Sequence, residues 1–326
     1  MSNIRTDLAV EARELYQGGR DREIPGVKVE KETPFEDITV TKVTIFSDLG
    51  ERAMGKPQGS YITVESSSLR DRDPELEEDV SKTIAQEISR LIKTDKKDFT
   101  TLVVGLGNWN VTPDSLGPKV VSRIMVTRHL IQLIPDQVDE RVRSVCTIAP
   151  GVLGITGIET GEIIRGVVDK IKPDLVIAID ALASRKTERI STTVQITDTG
   201  INPGSGIGNK RMGLNQETLG VPVIALGVPL VVYAATISQD AVGLMIDEFS
   251  KQATPGSQFF KMLQQMDEAQ IDQMVSQVVS NHMGDLVVTP KEIDIIVEDI
   301  SKVIANGINL ALHKGVNLEE INRFLH

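Results

Sequence analysis

The apolar positions of this chain fall into two rhythms. Residues 38–46 (ITVTKVTIF) and 60–66 (SYITVES) alternate apolar and polar side chains and are rich in β-branched residues, the pattern of half-buried strands. From 73 to 93 the period lengthens. Leu76, Val80, Ile84, Ile88 and Leu91 recur at helical spacing, behind Asp73 as a cap and Pro74 at the first helical position. Short, almost wholly apolar runs follow at 101–107 (TLVVGLG), 144–149 (SVCTIA), 174–180 (DLVIAID) and 221–227 (VPVIALG), as expected of strands covered on both faces. Helical patterns over 118–134 and 160–171 separate the first three. This alternation predicts an α/β fold, a mixed, largely parallel sheet flanked by helices, with right-handed crossovers.

The remaining segments are more polar. Residues 190–197 (RISTTVQI) read as a strand near a sheet edge, leading into the loop 199–211 (TGINPGSGIGNKR) with its four glycines and one proline. Residues 232–283 read as helices separated by a TPGS turn at 254–257. Thr289-Pro290-Lys291-Glu292 reads as a capping box opening a helix to about 312, with a short helix closing the chain. Residues 1–40 carry charges of both signs, broken by Gly18, Gly19, Pro25 and Pro34, and read as a mobile arm with at most one short helix.

Composition narrows the function. With 326 residues and 40% of them apolar, the chain can bury a large core. No apolar run reaches the ~18 residues of a membrane span, and the first residues lack a hydrophobic signal region, so a cytoplasmic protein is expected. Cys146 is the single cysteine, which excludes an intramolecular disulfide and a multi-cysteine zinc site. It lies in an apolar strand and reads as core. The balance of 35 basic and 46 acidic residues, net −11, with 3% aromatics and no basic cluster beyond Lys93–Lys97, argues against nucleic-acid binding. His129, His282, His313 and His326 have no metal-ligand spacing and read as surface or internally satisfied residues. Met262, Met266, Met274 and Met283 read as packing or an oligomer face.

Two constellations could carry chemistry. GLGNWNVTPDSLGP, Gly105 to Pro118, joins an apolar strand to a helix at the edge where open parallel sheets bind ligands. It lacks the third glycine and the acidic second strand of a dinucleotide site, and GSGIGNKR lacks the Gly-Lys-Ser/Thr of a P-loop. Asp114 stands just before the helix, and Asp180 closes the apolar run LVIAID, placing a second carboxylate at the same edge. Each has a structural alternative, Asp114 as a helix cap and Asp180 as an acceptor for the amides of the next turn. As a pair, two acids converging on one water could divide the roles of base and acid, or could hold a divalent metal.

These segments, together with PGVLGITGIETGEII (150–164), DLVIAIDALASR (174–185) and RTDLAVEA (5–12), resemble the germination protease family of endospore-forming bacteria along essentially the whole chain. The resemblance implies a self-processing endopeptidase, made as a zymogen, that degrades small acid-soluble spore proteins during germination. It implies a homotetramer in the forespore and spore core; no direct nucleic-acid contact, no membrane contact and no cofactor are expected. The family cuts after an acidic residue and before a hydrophobic one followed by Ala. Asp7-Leu8-Ala9 matches, which places self-cleavage between Asp7 and Leu8, with residues 1–7 as propeptide and 8–326 as one α/β protease domain. Ile4 departs from the acid that substrates carry four positions before the cut. The core is also similar to the hydrogenase maturation endopeptidases, which share GxGN followed by an aspartate. On that likeness Asp114 and Asp180 are the catalytic acids, and a metal-free pair is favoured because no histidine matches the metal ligand of those relatives. A metallopeptidase using the same acids, and a non-catalytic oligomeric binding protein in which both acids are structural, are the alternatives.

Overall fold

The computed structural model describes residues 6–17, 23–66, 69, 73–93, 96, 98–203, 212–254, 256–258, 262, 271, 273–275, 277–279 and 286–325. Among these, nine strands form one sheet: β1 (Val27–Phe35), β2 (Ile38–Ile45), β3 (Gly59–Glu65), β4 (Thr100–Gly105), β5 (Ser144–Ile148), β6 (Leu175–Ser184), β7 (Thr193–Thr197), β8 (Val223–Tyr233) and β9 (Val287–Val288). The spatial order is β1-β2-β3-β7-β8-β6-β4-β5, with β9 pairing β8. The β8-β6-β4-β5 portion is parallel; β1 to β3 and β7 pair antiparallel and join it through β8. The fold is the mixed, helix-flanked α/β sheet that the alternation predicts.

Each face of the sheet has its own cover. On one side lie α3 (Pro74–Leu91), α4 (Leu116–Val121) and α10 (Ile293–Leu312). Their Ile84, Ile88, Val120, Ile304 and Ile308 pack on Val103, Ile177, Ile179, Ile196 and Leu226. Burying side chains of this size stabilises the fold by about 1.5–3 kcal/mol apiece. On the other side, α7 (Thr160–Ile171) and the short α8 (Gln216–Leu219) cover the parallel strands. The antiparallel strands there are covered by α1 (Ala9–Gln17), whose Ala9 packs with Val43, Ile45, Met54 and Tyr61. The remaining helices are α2 (Asp48–Met54), α5 (Arg128–Leu133), α6 (Leu153–Thr156), α9 (Ala234–Gln252) and α11 (Leu318–Leu325). No described helix is long and apolar enough to cross a membrane.

Four local readings change. The N-terminal stretch is not a loose arm: Leu8 and Ala9 are fully buried, and β1 pairs along β2. Strand β7 lies inside the sheet rather than near an edge, between β3 and β8, with every residue buried. Its Gln195 bonds the N-terminal segment instead of water. The helix expected over 118–134 is split into α4 and α5, because the backbone turns aside at Thr127, whose N–H and hydroxyl bond to β5 and its approach. The capping box at 289–292 does not form. Thr289 donates to the Leu230 carbonyl at 3.0 Å instead, and α10 begins at Ile293. Residues 204–211 of the glycine-rich loop, Met266, Met283, His282, His326 and Ile4 lie outside the described residues.

Candidate active site

The turn after β4 is built around Gly107. Its φ of +109° is open to glycine, and a side chain there would overlap the Asp114 carbonyl oxygen. The Asn108 N–H that follows donates to Asp114 twice, to the backbone oxygen at 2.9 Å and to the carboxylate Oδ2 at 2.8 Å. Asp114 is therefore tied to the strand end. The residue at the N-cap of α4 is Ser115, one position past Asp114, and it makes no side-chain cap. Beyond the end of β4, the Leu106 N–H bonds the Ile179 carbonyl at 2.8 Å, which keeps this turn against β6.

Asp180 follows Ile179 on that strand and is 7% exposed. The strand continues past it to Ser184, so the acid projects from within β6, one residue beyond the end of β4. Its Oδ1 accepts the Ala181 N–H at 2.9 Å. The structure thus places both acids at the carboxyl edge of the β4–β6 pair, the half-buried Asp114 in the turn and the buried Asp180 on the strand.

The register carries this edge across to β7. Asp180 pairs with Gly227 of β8, and Gly227 pairs with Gln195 of β7. Paired residues share a sheet face, so Asp180 and Gln195 project from the same side on either flank of a residue with no side chain. Their backbones are two strand spacings apart, about 9.6 Å. The N-terminal segment lies on this face. Gln195 Nε2 donates to the Asp7 carbonyl oxygen at 3.1 Å, and its Oε1 accepts the Ala9 N–H at 2.6 Å. Lys56 Nζ donates to the same Asp7 oxygen at 2.9 Å. The Leu8 N–H is taken by Thr6 Oγ1 at 3.1 Å.

The side chains of this segment have equally specific seats. The Asp7 carboxylate accepts the Ala183 N–H at 3.0 Å. Leu8 is enclosed with Val10, Leu182 and Ile201, and Ala9 sits against Ile24, Val43 and Tyr61. A cavity of about 140 Å³, lined in part by Lys56, Tyr61, Thr199, Asn202 and Asn215, opens beside Asp7. Downstream, the buried Glu11 accepts the N–H groups of Arg185 at 2.7 Å and Lys186 at 3.0 Å. Lys56 keeps partial exposure as a residue, yet burial of its ammonium end lowers its pKa, opposed by the charges of Asp7 and Glu11.

Lys56 and Gln195 were not legible as site residues. Lys56 sits in the polar stretch between α2 and β3, and Gln195 in a strand expected at an edge. The histidines lie away from this edge where they are described: His129 on α5, and His313 buried at the end of α10, accepting the Arg143 N–H at 3.3 Å. Among the described residues, no three His, Cys, Asp or Glu side chains gather as a metal-binding group.

A family model described as germination protease matches residues 6–265 and 252–325. The germination protease of Clostridium perfringens (strain ATCC 13124) is 55% identical over all of both chains. That of Caldanaerobacter subterraneus subsp. tengcongensis is also 55% identical, over 99% of this chain and 98% of its own. The germination protease of Halalkalibacterium halodurans is 42% identical over 99% and 97%. What these relatives have in common is peptidase activity, and the sheet edge described above is set in a chain of their kind. The chain belongs to the germination protease family, and its activity falls in spore germination.

Proposed function

We propose that this chain is a self-processing endopeptidase whose Asp114 and Asp180 activate water for peptide hydrolysis. One carboxylate serves as base for the attacking water, and the other gives a proton to the leaving amine. The reading includes self-cleavage between Asp7 and Leu8, which releases residues 1–7 from a zymogen. The processed enzyme then cuts small acid-soluble spore proteins after Glu or Asp, before a hydrophobic residue followed by Ala. It works as a homotetramer in the forespore and spore core, with the aspartate pair needing no metal.

The observation that carries this reading is where the chain's own Asp7-Leu8-Ala9 lies. It occupies the sheet face from which Asp180 projects, with an acid bonded to a backbone amide, a leucine in an apolar enclosure and a fully buried alanine. The acid-apolar-Ala order inferred for substrates is thus the order of side chains that this groove already holds.

The test is the intact mass of the full chain over time at mildly acidic pH, for wild type, Asp114→Asn and Asp180→Asn, with and without a chelator. Loss of residues 1–7 from wild type alone, unaffected by the chelator, is the expected result. Trimming of both variants at the wild-type rate would remove the aspartates from the mechanism, and chelator sensitivity would replace the metal-free pair with a metal held by the same acids.

A further inference from the structure

The Asp7 carbonyl oxygen is the atom on which negative charge would develop during cleavage of the Asp7–Leu8 bond. It accepts from two side chains of distant origin, Lys56 Nζ at 2.9 Å and Gln195 Nε2 at 3.1 Å. Both donors already contact, at hydrogen-bond distance in the resting peptide, the oxygen that would become the oxyanion. Gln195 also spans the bond, because its Oε1 holds the Ala9 N–H at 2.6 Å on the leaving side. A carbonyl that accepts and an N–H that donates fix the orientation of this amide without ambiguity. Lys56 stands at a place where burial works against its charge. A lysine that served only to tether the arm could meet a surface carbonyl at lower cost.

We propose that Lys56 and Gln195 form an oxyanion clamp for the carbonyl that precedes the cleaved bond, in self-processing and in every peptide the enzyme cuts. The proposal rests on the reading of Asp7–Leu8 as the self-cleavage bond. Water oxygen bonds to the Asp7 carbonyl carbon and yields a proton to one aspartate. The carbonyl π pair moves onto oxygen, where the Lys56 and Gln195 N–H groups take up the charge. Collapse of this intermediate breaks the C–N bond, and the Leu8 nitrogen receives a proton from the other aspartate. The products are a new carboxyl group on Asp7 and a free amine on Leu8. Both donors gain strength as charge develops on the oxygen, so they favour the transition state over the resting peptide.

The same placement assigns specificity. The Ala183 N–H reads the acid before the cut, and Leu182 with Ile201 encloses the apolar residue after it. Gln195 thereby acts twice, on the reacting carbonyl and as a positioning residue for the alanine.

The test follows first-order self-cleavage of the full chain by intact mass, for wild type, Lys56→Met, Lys56→Arg and Gln195→Met. Hydrogen exchange at the Ala9 and Ala183 amides is measured in parallel. A lost oxyanion donor costs about 100- to 1,000-fold in rate. Lys56→Met is expected to slow cleavage at Asp7–Leu8 by that factor while both amides stay as protected as in wild type. Lys56→Arg restores a donor and should recover most of the rate. Gln195→Met should slow cleavage and also expose the Ala9 amide. Wild-type rates in Lys56→Met overturn the clamp. So does a slow Lys56→Met whose amides have lost protection, since the lysine is then only a tether. If wild type is cut at another bond or not at all, the reading of the cleavage site fails and takes the clamp with it.

Discussion

Arg189 and Glu14 meet in a two-pronged ion pair, with Nη1 donating to one carboxylate oxygen at 3.0 Å and Nη2 to the other at 2.6 Å. Arg189 also reaches Glu65 of β3 at 3.0 Å, so one guanidinium joins α1, the turn after β6 and the sheet. Its side chain is 9% exposed, and removing it takes the cation from the buried Glu11 and leaves Glu14 with Lys186 at 3.1 Å. Arg189→Met is expected to destabilise the fold by about 3 kcal/mol, read from the denaturant midpoint. It should also raise hydrogen exchange along α1 before any other helix, and equal exchange in α1 and α3 would show that the pair does not hold the arm.

The geometry around Asp114 depends on Gly107. Alanine there would be strained at φ +109° and would overlap the Asp114 carbonyl oxygen. Gly107→Ala should cost about 3 kcal/mol in stability and abolish self-cleavage even at temperatures where the chain stays folded. A variant that remains folded and cuts at the wild-type rate would detach this turn from the chemistry.

On the proposed cleavage specificity, the alanine after the apolar residue is expected to be selected by volume. Ala9 is fully buried among Ile24, Val43, Ile45, Met54 and Tyr61, with its N–H on Gln195. Ala9→Leu adds three carbons at a fully buried position and should displace the bond from Lys56, slowing self-cleavage by about 5- to 150-fold, as overpacking costs of 1–3 kcal/mol imply. Ala9→Gly leaves the hydrogen bond in place and should be cut more readily than Ala9→Leu, which a mass time course would compare directly.

Acid weakens the fold through His313. Burial pushes its imidazole pKa down to about 4, aided by the nearby Arg143 charge. The unfolded chain therefore binds a proton near pH 6.5 that the folded chain refuses until about pH 4. Stability is full above pH 6.5 and falls as pH drops through that window, by about 2 kcal/mol at pH 5. Glu14 acts in a lower window. Burial alone would raise its pKa, but the bonds and charge of Arg189 and Lys186 outweigh this and hold the carboxyl below its usual range. Its contribution is present above pH 4.5 and is lost below it. Urea titrations of wild type and His313→Gln at pH 7 and pH 5 should show a smaller loss in the variant, and equal losses would assign the acid sensitivity elsewhere.

What the sequence disclosed was local. Asp73 and Pro74 mark the start of α3 because cap and first-turn preferences act within a few residues, and the Asp73 side chain does accept the Glu75 N–H. Asp180 stood out because an acid at the end of an apolar run has few reasons to be there, and Asp114 because it stands between a glycine-rich strand end and a helix. Gln195 stayed hidden for the opposite reason. A polar side chain in an alternating strand ordinarily faces water, and its actual neighbour is Ala9, 186 residues earlier in the chain. Lys56 lacks even that pattern, and its partner is a backbone oxygen, which leaves no trace in residue type. The split between α4 and α5 depends on Thr127 meeting β5, again a contact that periodicity does not encode.

The seat of the N-terminal segment has a consequence for the order in which the protein comes into being. Asp7 bonds Ala183, Glu11 bonds Arg185, and Ala9 bonds Gln195, while β7 itself needs β8 beside it. The first residues to leave the ribosome can pack on Ile24, Val43 and Met54 early, but their hydrogen-bonded seat on β6 and β7 is absent until those strands and β8 have followed. Domains assemble as chain becomes available, and contacts that close such long loops come late. The groove, the Lys56 and Gln195 donors and the segment laid across them come together only in a chain whose sheet is already complete, so on the proposed mechanism a nascent chain presents no bond for cutting.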